Sequence, residues 1–234
     1  MKVIDFSNRF MVLYEQEKVK LPFHINLLDI VGVNEPKHSR ILMKLFSYKT
    51  PDGEYVLLKS FFRYIVAKHK RQWNIDVVCP VISAEQANID MWVRESSKYS
   101  VIFENKIHNA DDQPNQIARY IEKSLEAKFT EVQIYVLYLT RDGSKQPSEN
   151  TWQNEDGDDY SEDFADRYLN ISWRRDIQPW LLDELTKCLP KDNYLQQTME
   201  QYIDHLNGMF NLRKTEKSMN DTLQAVWRKR GCNF

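Results

Sequence analysis

Cysteine and long apolar runs are what this chain of 234 residues most clearly lacks. Its three cysteines, Cys79, Cys188 and Cys232, lie far apart with no Cys-x-x-Cys or Cys/His ligand spacing, which argues against a disulfide framework and a structural zinc site. A reducing, cytoplasmic setting is therefore expected. No apolar run approaches the length of a membrane span, and the first nine residues hold no uninterrupted apolar stretch of a secretory leader, so we expect no membrane partner.

The chain also lacks the net positive charge of many nucleic-acid-binding proteins. Its formal net charge at pH 7 is −2, but residues 59–71 hold five Lys or Arg and no acid, whereas residues 149–166 hold eight acids and no Lys or Arg. Phosphate binding requires only local cationic density, which this uneven distribution permits. The candidate phosphate contacts are Lys68, Lys70, Arg71, Arg228, Lys229 and Arg230. The alternative is that these stretches are solvated helix faces and that the acidic stretch is a solvated loop.

The composition is that of a soluble globular protein. The residues are 42% hydrophobic and 28% charged, and a chain of this length can form one substantial core. We predict a single domain over residues 1–234, with a core at about 30–140, an acidic loop at about 141–166 and helical additions at about 168–230. The acidic loop lacks the ligand spacing and the terminal Glu of a calcium loop.

Helical and extended patterns alternate along the predicted core. Asn34 predicts a helix N-cap, with apolar residues at helical spacing behind it. Residues 55–70 predict a second helix, and residues 75–82 predict an extended segment interrupted by Pro80. A helix over 113–128 and a buried strand over 132–140 follow. Further along, residues 168–173 suggest a strand, and residues 177–189 and 194–212 predict helices; the apolar stripe of the last helix is core, with a homodimer contact as the alternative.

Residues 89–106 combine strand-forming and charged residues in a pattern typical of a β-hairpin. Two apolar-alternating runs, 89–94 and 101–107, flank a polar stretch at 95–100. Side chains alternate along a strand, so Glu104 and Lys106 share one face and Asn105 takes the other. With the turn near Ser97, Asp90 falls opposite Glu104, with Cβ atoms roughly 5 Å apart.

Two carboxylates and an ammonium thus meet on one patch of the predicted sheet. Like charges across a strand pair are destabilising, so the patch calls for a compensating cation. A divalent metal held by Asp90 and Glu104, with Lys106 beside the water that it activates, meets that need. The plainer alternative for Glu104 and Lys106 alone is an ion pair on an exposed sheet face.

In this hairpin the chain resembles the PD-(D/E)xK nuclease superfamily. Asp90, a gap of thirteen residues and then Glu104-Asn105-Lys106 are similar to the D…(D/E)-x-K core of that superfamily. Upstream, Glu35 opens an apolar, helix-periodic segment, as its acidic first-helix motif does. An E-x-K triplet alone occurs often by chance, so the resemblance depends on several motifs that follow in the expected order over about residues 30–140.

The helix after the hairpin adds to the resemblance. Gln116 and Tyr120 are similar to the Q-x-x-x-Y motif of the RecB-like branch, and the stretch from Asp112 to Tyr120 resembles a bacterial and phage-associated branch. The resemblance implies an α/β, restriction-endonuclease-like core. Its order is helix, three strands, helix and strand, with a mixed central sheet flanked by helices and additional C-terminal helices.

The resemblance also implies an activity and roles for the residues. The chain is expected to be a nuclease that hydrolyses phosphodiester bonds of DNA with Mg²⁺ or Mn²⁺, in restriction, phage defence or repair. Asp90, Glu104 and the main-chain carbonyl of Asn105 would hold the metal, and Lys106 would position or help deprotonate the attacking water. Glu35 would complete the cage through water or a second ion.

Gln116 and Tyr120 share one helix face, and the resemblance implies that they orient the lysine, the water or a phosphate. RNA stays open as a substrate, as does a partner protein. The alternative function is a catalytically idle nucleic-acid- or protein-binding domain on the same fold. Idle members usually lose a metal ligand or the lysine, and this chain keeps both. Glu85 is a competing acid, His38 and Ser39 either line the site or pack beneath it, and His108 is expected at the surface.

Overall fold

The computed structural model describes residues 11–12, 14–16, 18–19, 21, 24–187, 192–215 and 218–221. These residues form two compact units. The smaller unit comprises the described parts of Met1–Ile30 and Gln201–Phe234, and the larger unit is Val31–Glu200. All predicted catalytic residues lie in the larger unit. The single domain over residues 1–234 stays a prediction.

The larger unit is built on a mixed sheet of five strands with helices on both faces. The strands are β1 (Val81–Gln86), β2 (Ile89–Glu95), β3 (Tyr99–Lys106), β4 (Ile134–Thr140) and β5 (Tyr168–Ser172). Over both units, the principal α-helices are α1 (Leu27–Val31), α2 (Glu35–Phe46), α3 (Val56–Lys68), α4 (Gln116–Glu126), α5 (Gln178–Thr186) and α6 (Asn193–Met209). A π-helical turn, Trp173–Ile177, joins β5 to α5.

The sheet order is β1-β2-β3-β4-β5. The first three strands are antiparallel neighbours, while β4 and β5 run parallel to β3. A parallel neighbour requires a crossover connection, and α4 provides it between β3 and β4. The predicted α/β class, with a mixed central sheet flanked by helices and the order helix, three strands, helix and strand, is confirmed. The fifth strand agrees with the strand suggested over residues 168–173, at the start of the region predicted as helical additions.

The predicted hairpin forms β2 and β3. Its turn contains Ser97, whose φ of 61° is left-handed, and its register pairs Met91 with Phe103. Continuing this register by one step sets Asp90 opposite Glu104. All residues of β3 are buried, because the strand has a neighbour on each side and helices on both faces of the sheet.

Alternation along β3 divides the core between the two faces. Phe103 packs against Phe46 of α2 and Phe61 of α3, with ring centroids 5.9 and 6.1 Å apart. On the other face, Ile102 belongs to a buried cluster with Ile117 of α4. The two faces of β3 therefore look toward different helices, which decides what its polar residues contact.

Helix α2 begins where the sequence predicts. Asn34 is its N-cap, and its side chain accepts a hydrogen bond from the Lys37 N–H at 3.2 Å. Glu35 and Pro36 occupy the first turn, where an acidic side chain and a proline are both favourable. This start places Glu35 at the end of the helix nearest to β3.

Two segments differ from the sequence-based expectation. The strand predicted over 75–82 with Pro80 inside it begins instead at Val81, because proline has no N–H to donate to a strand ladder. The acidic stretch is not a solvated loop throughout. Trp152 and Phe164 are buried in the same cluster as the apolar residues of α4.

Three further expectations concern the cysteines, the membrane and the last helix. Cys79 is free and exposed, while Cys188 and Cys232 lie outside the described residues. No described helix is long and apolar enough to cross a membrane. The stripe of α6 is buried at Met199, Tyr202, Ile203 and Leu206, and the next apolar residue after the helix, Phe210, is buried too, as a core stripe should be.

Candidate active site

Two charged side chains of β3 face α4. Glu104 and Lys106 follow Ile102 at steps of two, so they lie on the same side of the sheet as the α4 cluster. Lys106 Nζ lies 2.8 Å from Glu104 Oε1, and the side chains are 5% and 2% exposed. These residues do form an ion pair, but the interpretation that the pair lies on an exposed sheet face is wrong.

Asp90 joins this pair from the neighbouring strand. Its Oδ2 accepts a hydrogen bond from the main-chain N–H of Asn105 at 2.8 Å. This contact anchors the Asp90 carboxylate at the end of the β2–β3 ladder, where the register sets it opposite Glu104. The structure thus brings Asp90, Glu104 and Lys106 to one patch, in which Glu104 and Lys106 are buried and Asp90 is half-buried.

The pKa values of these groups reflect their burial first and the neighbouring charges second. Burial and the nearby Asp90 raise the pKa of Glu104 to about 8, against the opposing effect of Lys106. Burial also raises the pKa of Asp90 to about 6, against the hydrogen bond from Asn105. Burial lowers the pKa of Lys106, but the surrounding carboxylates outweigh it and the net shift is upward. Without another cation, both acids hold protons more tightly than exposed acids do.

Lys106 is fixed by acceptors from the loop and the helix that follow β3. Its Nζ donates to the Asp111 main-chain carbonyl at 3.1 Å and to Gln116 Oε1 at 3.3 Å. Gln116 Nε2 in turn donates to the Tyr120 hydroxyl at 2.9 Å. Gln116 and Tyr120 are four residues apart on α4 and share a face. Of the two α4 residues that the sequence analysis singled out, Gln116 therefore contacts the lysine directly, and Tyr120 contacts Gln116.

Glu35 lies close to the patch but is held separately. Its Oε1 accepts a hydrogen bond from the His108 N–H at 2.8 Å, and its charge contributes to the raised pKa of Asp90. Among the described residues, no trio of acid or His ligand atoms within 4.8 Å includes Glu35. A recess of about 430 Å³, lined by residues 32–36 and His108, opens beside it.

The Asn105 side chain makes long-range contacts that the sequence analysis missed. On the face opposite Glu104, its Nδ2 donates to Ser39 Oγ at 3.1 Å and to the Glu35 main-chain carbonyl at 3.0 Å. Its Oδ1 accepts from Trp173 Nε1 at 2.9 Å. These contacts fix the end of β3 to α2 and to the turn after β5. Their partners are distant in the chain, so no local pattern indicates them.

Asp112 is the second residue that the sequence analysis missed as part of the site. It follows β3 in the loop before α4, and its Oδ1 lies 3.6 Å from Lys106 Nζ. In the sequence it stands out only as one letter of the motif that leads to Tyr120. Acid content alone gives no reason to prefer it to the neighbouring Asp111.

The structure also locates the other residues named in the sequence analysis. Glu85, the competing acid, forms an ion pair with Arg40 on the edge strand β1. His38 is buried, and its ring packs against those of His108 and Trp173, with centroids 5.5 and 5.4 Å apart. His108 is exposed at the end of β3, as expected.

The donor set at the patch fits a hard divalent cation. Within the described part of the chain, Glu104 Oε2 is a buried carboxylate oxygen with no hydrogen-bond partner. Such an oxygen is costly unless a donor or a cation satisfies it. Asp90, Glu104 and the main-chain carbonyl of Asn105 offer the oxygen ligands that Mg²⁺ prefers.

A second group of ligand-type side chains lies in the smaller unit and is already neutralised. His24, Asp29 and Asp204 bring ligand atoms within 4.8 Å of one another. However, Arg213 pairs with Asp29 at 2.7 Å and with Asp204 at 2.8 Å. Against the opposing effect of burial, its hydrogen bond lowers the pKa of Asp29, and hydrogen bonds from Asn26 and then Arg213 lower the pKa of Asp204. A guanidinium thus occupies the position that a metal would take.

The candidate phosphate contacts in the described chain lie at the C-terminal end of α3. Lys68 Nζ forms an ion pair with Asp176 at 2.8 Å, and Arg71 donates to the Tyr168 main-chain carbonyl at 3.0 Å. Lys70 is exposed, and with Arg71 it lines a groove of about 680 Å³. The second candidate set, at residues 228–230, lies outside the described residues.

Comparison with known families gives a match over more than half of the chain. A family model described as the PD-(D/E)XK nuclease superfamily matches residues 25–204. The matched range includes all predicted catalytic positions, from Glu35 to Tyr120. Searches of curated proteins and of solved structures each found no significant match. The RecB-like character of the Gln116 and Tyr120 motif stays a prediction.

Proposed function

The chain belongs to the PD-(D/E)XK nuclease superfamily, and from this membership and the site we propose that it is a Mg²⁺-dependent nuclease that hydrolyses phosphodiester bonds of DNA. The observation that carries the proposal is Glu104 Oε2, a buried oxygen with no hydrogen-bond partner among the described residues, beside Lys106 and opposite Asp90. A buried oxygen without a partner is costly for folding alone. Restriction, phage defence and repair are the proposed settings.

The proposed ligands of the metal, Mg²⁺ or Mn²⁺, are Asp90, Glu104 and the main-chain carbonyl of Asn105. Glu35 would reach the same ion through water, or hold a second one. When bound, such an ion neutralises charge on the phosphate oxygens and lowers the pKa of bound water. The chain contributes rigidity, because the Asn105 N–H holds Asp90 and the central strand holds Glu104.

Lys106 is proposed to position the attacking water and the phosphate. As an ammonium it carries three N–H donors, which now lie against Glu104, the Asp111 carbonyl and Gln116. A water or phosphate oxygen can replace one of these acceptors and take the same hydrogen bond. Gln116, steadied by Tyr120, keeps the ammonium directed at that point.

Substrate contacts away from the reacting phosphate are proposed for the two basic stretches. Their candidate residues are Lys68, Lys70, Arg71, Arg228, Lys229 and Arg230. Of the described three, Lys70 is the best candidate, because Lys68 and Arg71 already bind acceptors of the protein. Arg71 binds the start of β5, whereas Lys106 ends the parallel strand β3. Arg71 therefore lies near the end of the sheet opposite to Lys106, where it would add affinity without touching the reacting phosphate.

The test is a nuclease assay on linear, circular and single-stranded DNA and on RNA, with Mg²⁺, Mn²⁺ or EDTA. We expect cleavage of DNA with either metal and none in EDTA. Lys106→Ala and Glu104→Ala should abolish cleavage, because the first removes the ammonium and the second a ligand. Glu85→Gln is the control, since Glu85 pairs with Arg40 on the edge strand and should not affect the rate.

Undiminished turnover in either alanine variant would place the reaction elsewhere in the protein. Cleavage of RNA alone would show that the substrate is RNA and not DNA. Cleavage of circular DNA would show that the enzyme needs no free DNA end. Tight, salt-dependent DNA binding without cleavage under any divalent ion would support a catalytically idle binding domain instead. Absence of binding to any nucleic acid would point to a partner protein that brings the substrate.

A further inference from the structure

Asp112 is a carboxylate beside Lys106 for which the proposed function has no role. It lies in the loop between β3 and α4, and its side chain is 5% exposed. Its Oδ1 lies 3.6 Å from Lys106 Nζ and 3.9 Å from Lys145 Nζ. A buried carboxylate is tolerated where cations and hydrogen bonds compensate it, and here two ammonium groups contribute.

Neutral groups from two other elements hold this carboxylate in place. Oδ1 accepts a hydrogen bond from the Tyr138 hydroxyl of β4 at 2.7 Å. Oδ2 accepts one from the main-chain N–H of Ser148, in the loop after β4, at 3.0 Å. Asp112 is thus fixed independently of Lys106, so it can serve as a stationary charge.

Lys106 has two carboxylates near its ammonium, and only one of them belongs to the proposed ligand set. Glu104 lies at 2.8 Å and Asp112 at 3.6 Å. A carboxylate that binds a divalent ion loses most of its attraction for an ammonium, and the ion itself repels the ammonium. Metal binding at Glu104 would therefore tend to expel Lys106 from the place where catalysis needs it.

We propose that Asp112 is a positioning residue, the counter-ion that keeps Lys106 in the site while a bound cation neutralises Glu104. The inference rests on the proposed function, because it assumes that Glu104 is a ligand. It assigns Asp112 a purely electrostatic task. Its contacts to Tyr138 and Ser148 set its location, and its charge does the holding.

A merely structural role predicts a different result, and a matched pair of variants separates the two. Asp112→Asn removes the charge but keeps an oxygen that can accept from Tyr138. Tyr138→Phe removes a hydrogen bond to the same Oδ1 and leaves the charge in place. If the contacts mattered alone, both variants would behave alike.

The first experiment needs no metal, because Glu104→Gln removes the same charge that a bound ion would neutralise. In that background, Asp112 is the one carboxylate within 4.0 Å of Lys106 Nζ among the described residues. At pH 9, where Glu104 of the wild type is ionised, and in EDTA, Asp112→Asn should lower the melting temperature by about 3 °C more in the Glu104→Gln background than in the wild type. Tyr138→Phe should lower it equally in both.

The second experiment is a calorimetric titration with Mg²⁺. In Asp112→Asn, Lys106 has Glu104 as its remaining near carboxylate, so the ion must compete with the lysine for it. We expect Mg²⁺ to bind about tenfold more weakly, an effect typical of residues that support metal ligands. Tyr138→Phe should stay within about twofold of the wild type, because it changes no charge.

An additive effect of Asp112→Asn in the metal-free cycle would overturn the counter-ion role, as would unchanged Mg²⁺ affinity or equal losses in Tyr138→Phe. A double variant that fails to fold while both single variants fold counts as coupling and supports the role. Absence of metal-dependent cleavage by the wild type would instead overturn the proposed function. The metal-free cycle would still decide the role of Asp112.

Discussion

Glu104→Gln should stabilise the metal-free protein, although it removes the acid that pairs with Lys106. Glutamine keeps the size of glutamate and resembles its protonated form. In the folded protein, burial and Asp90 raise the pKa of Glu104 from 4.5 to about 8. Between these values the folded state holds a proton that the unfolded state releases. The stability linked to Glu104 is therefore fully present below pH 4.5 and is lost as the pH rises toward 8.

The size of the expected stabilisation follows from the pH interval between the two pKa values of Glu104. Each pKa unit corresponds to about 1.4 kcal/mol, so at pH 7.5, three units above 4.5, the wild type loses about 4 kcal/mol that the variant keeps. The pKa of about 8 already includes the opposing attraction between Lys106 and the Glu104 carboxylate, so no separate offset applies. We expect a stabilisation of about 4 kcal/mol at pH 7.5 and less than about 1 kcal/mol at pH 5.

Urea unfolding in EDTA at the two pH values measures this difference. Mg²⁺ should reverse the order at pH 7.5, since the wild type gains stability by binding the ion and the variant does not. Glu85→Gln, on the edge strand, is the control and should stay within about 0.5 kcal/mol of the wild type. The electrostatic account of Glu104 would be refuted if the variant were less stable than the wild type at pH 7.5. It would also be refuted if the free energy of unfolding differed from that of the wild type by the same amount at both pH values.

Three other variants test separate parts of the molecule. Lys106→Ala should abolish cleavage but keep DNA binding in a gel-shift assay, and unchanged turnover would contradict the proposed role of Lys106. Because the side chain is buried and paired, we also expect the melting temperature of this variant to fall by several degrees. Asn105→Ala should cost about 2 kcal/mol in urea unfolding, since it removes the hydrogen bonds that tie β3 to α2, and a neutral effect would count against that tie. Lys70→Glu should weaken DNA binding and lower the log–log salt slope by about one, whereas the control Lys44→Glu on α2 should not; equal effects would indicate unspecific attraction.

The candidate catalytic face could be predicted from the sequence because local geometry defines it. A turn near Ser97 and strict alternation suffice to bring Asp90 to Glu104, and one helical repeat joins Gln116 to Tyr120. Each of these relations depends on residues at most fifteen positions apart, and a register error would have turned every side chain to the wrong face. The observed register and the contact of Gln116 with the lysine agree with that reasoning.

Contacts between distant parts of the chain could not be predicted in this way. Asn105 meets Ser39 and Trp173 through 66 and 68 positions of separation, and no periodicity relates them. Lys68 shows that a prediction from charge alone has the same limit. A basic run in a sequence suggests phosphate binding, but the fold supplies Asp176 as its partner. The acidic stretch likewise reads as solvated, although Trp152 anchors it in the core.

The charges around Lys106 give a physical reason for a divalent ion at this place. Two ammonium groups, of Lys106 and Lys145, lie among the carboxylates of Glu35, Asp90, Glu104 and Asp112. If all are ionised, four negative charges against two positive ones leave an excess of two negative charges, which one divalent ion balances. In the metal-free protein, burial and, after it, the neighbouring carboxylates raise the pKa values of Asp90 and Glu104, so protons compensate the negative charge instead. A proton satisfies one oxygen, whereas an ion can satisfy several at once, so the buried Glu104 Oε2 favours the ion.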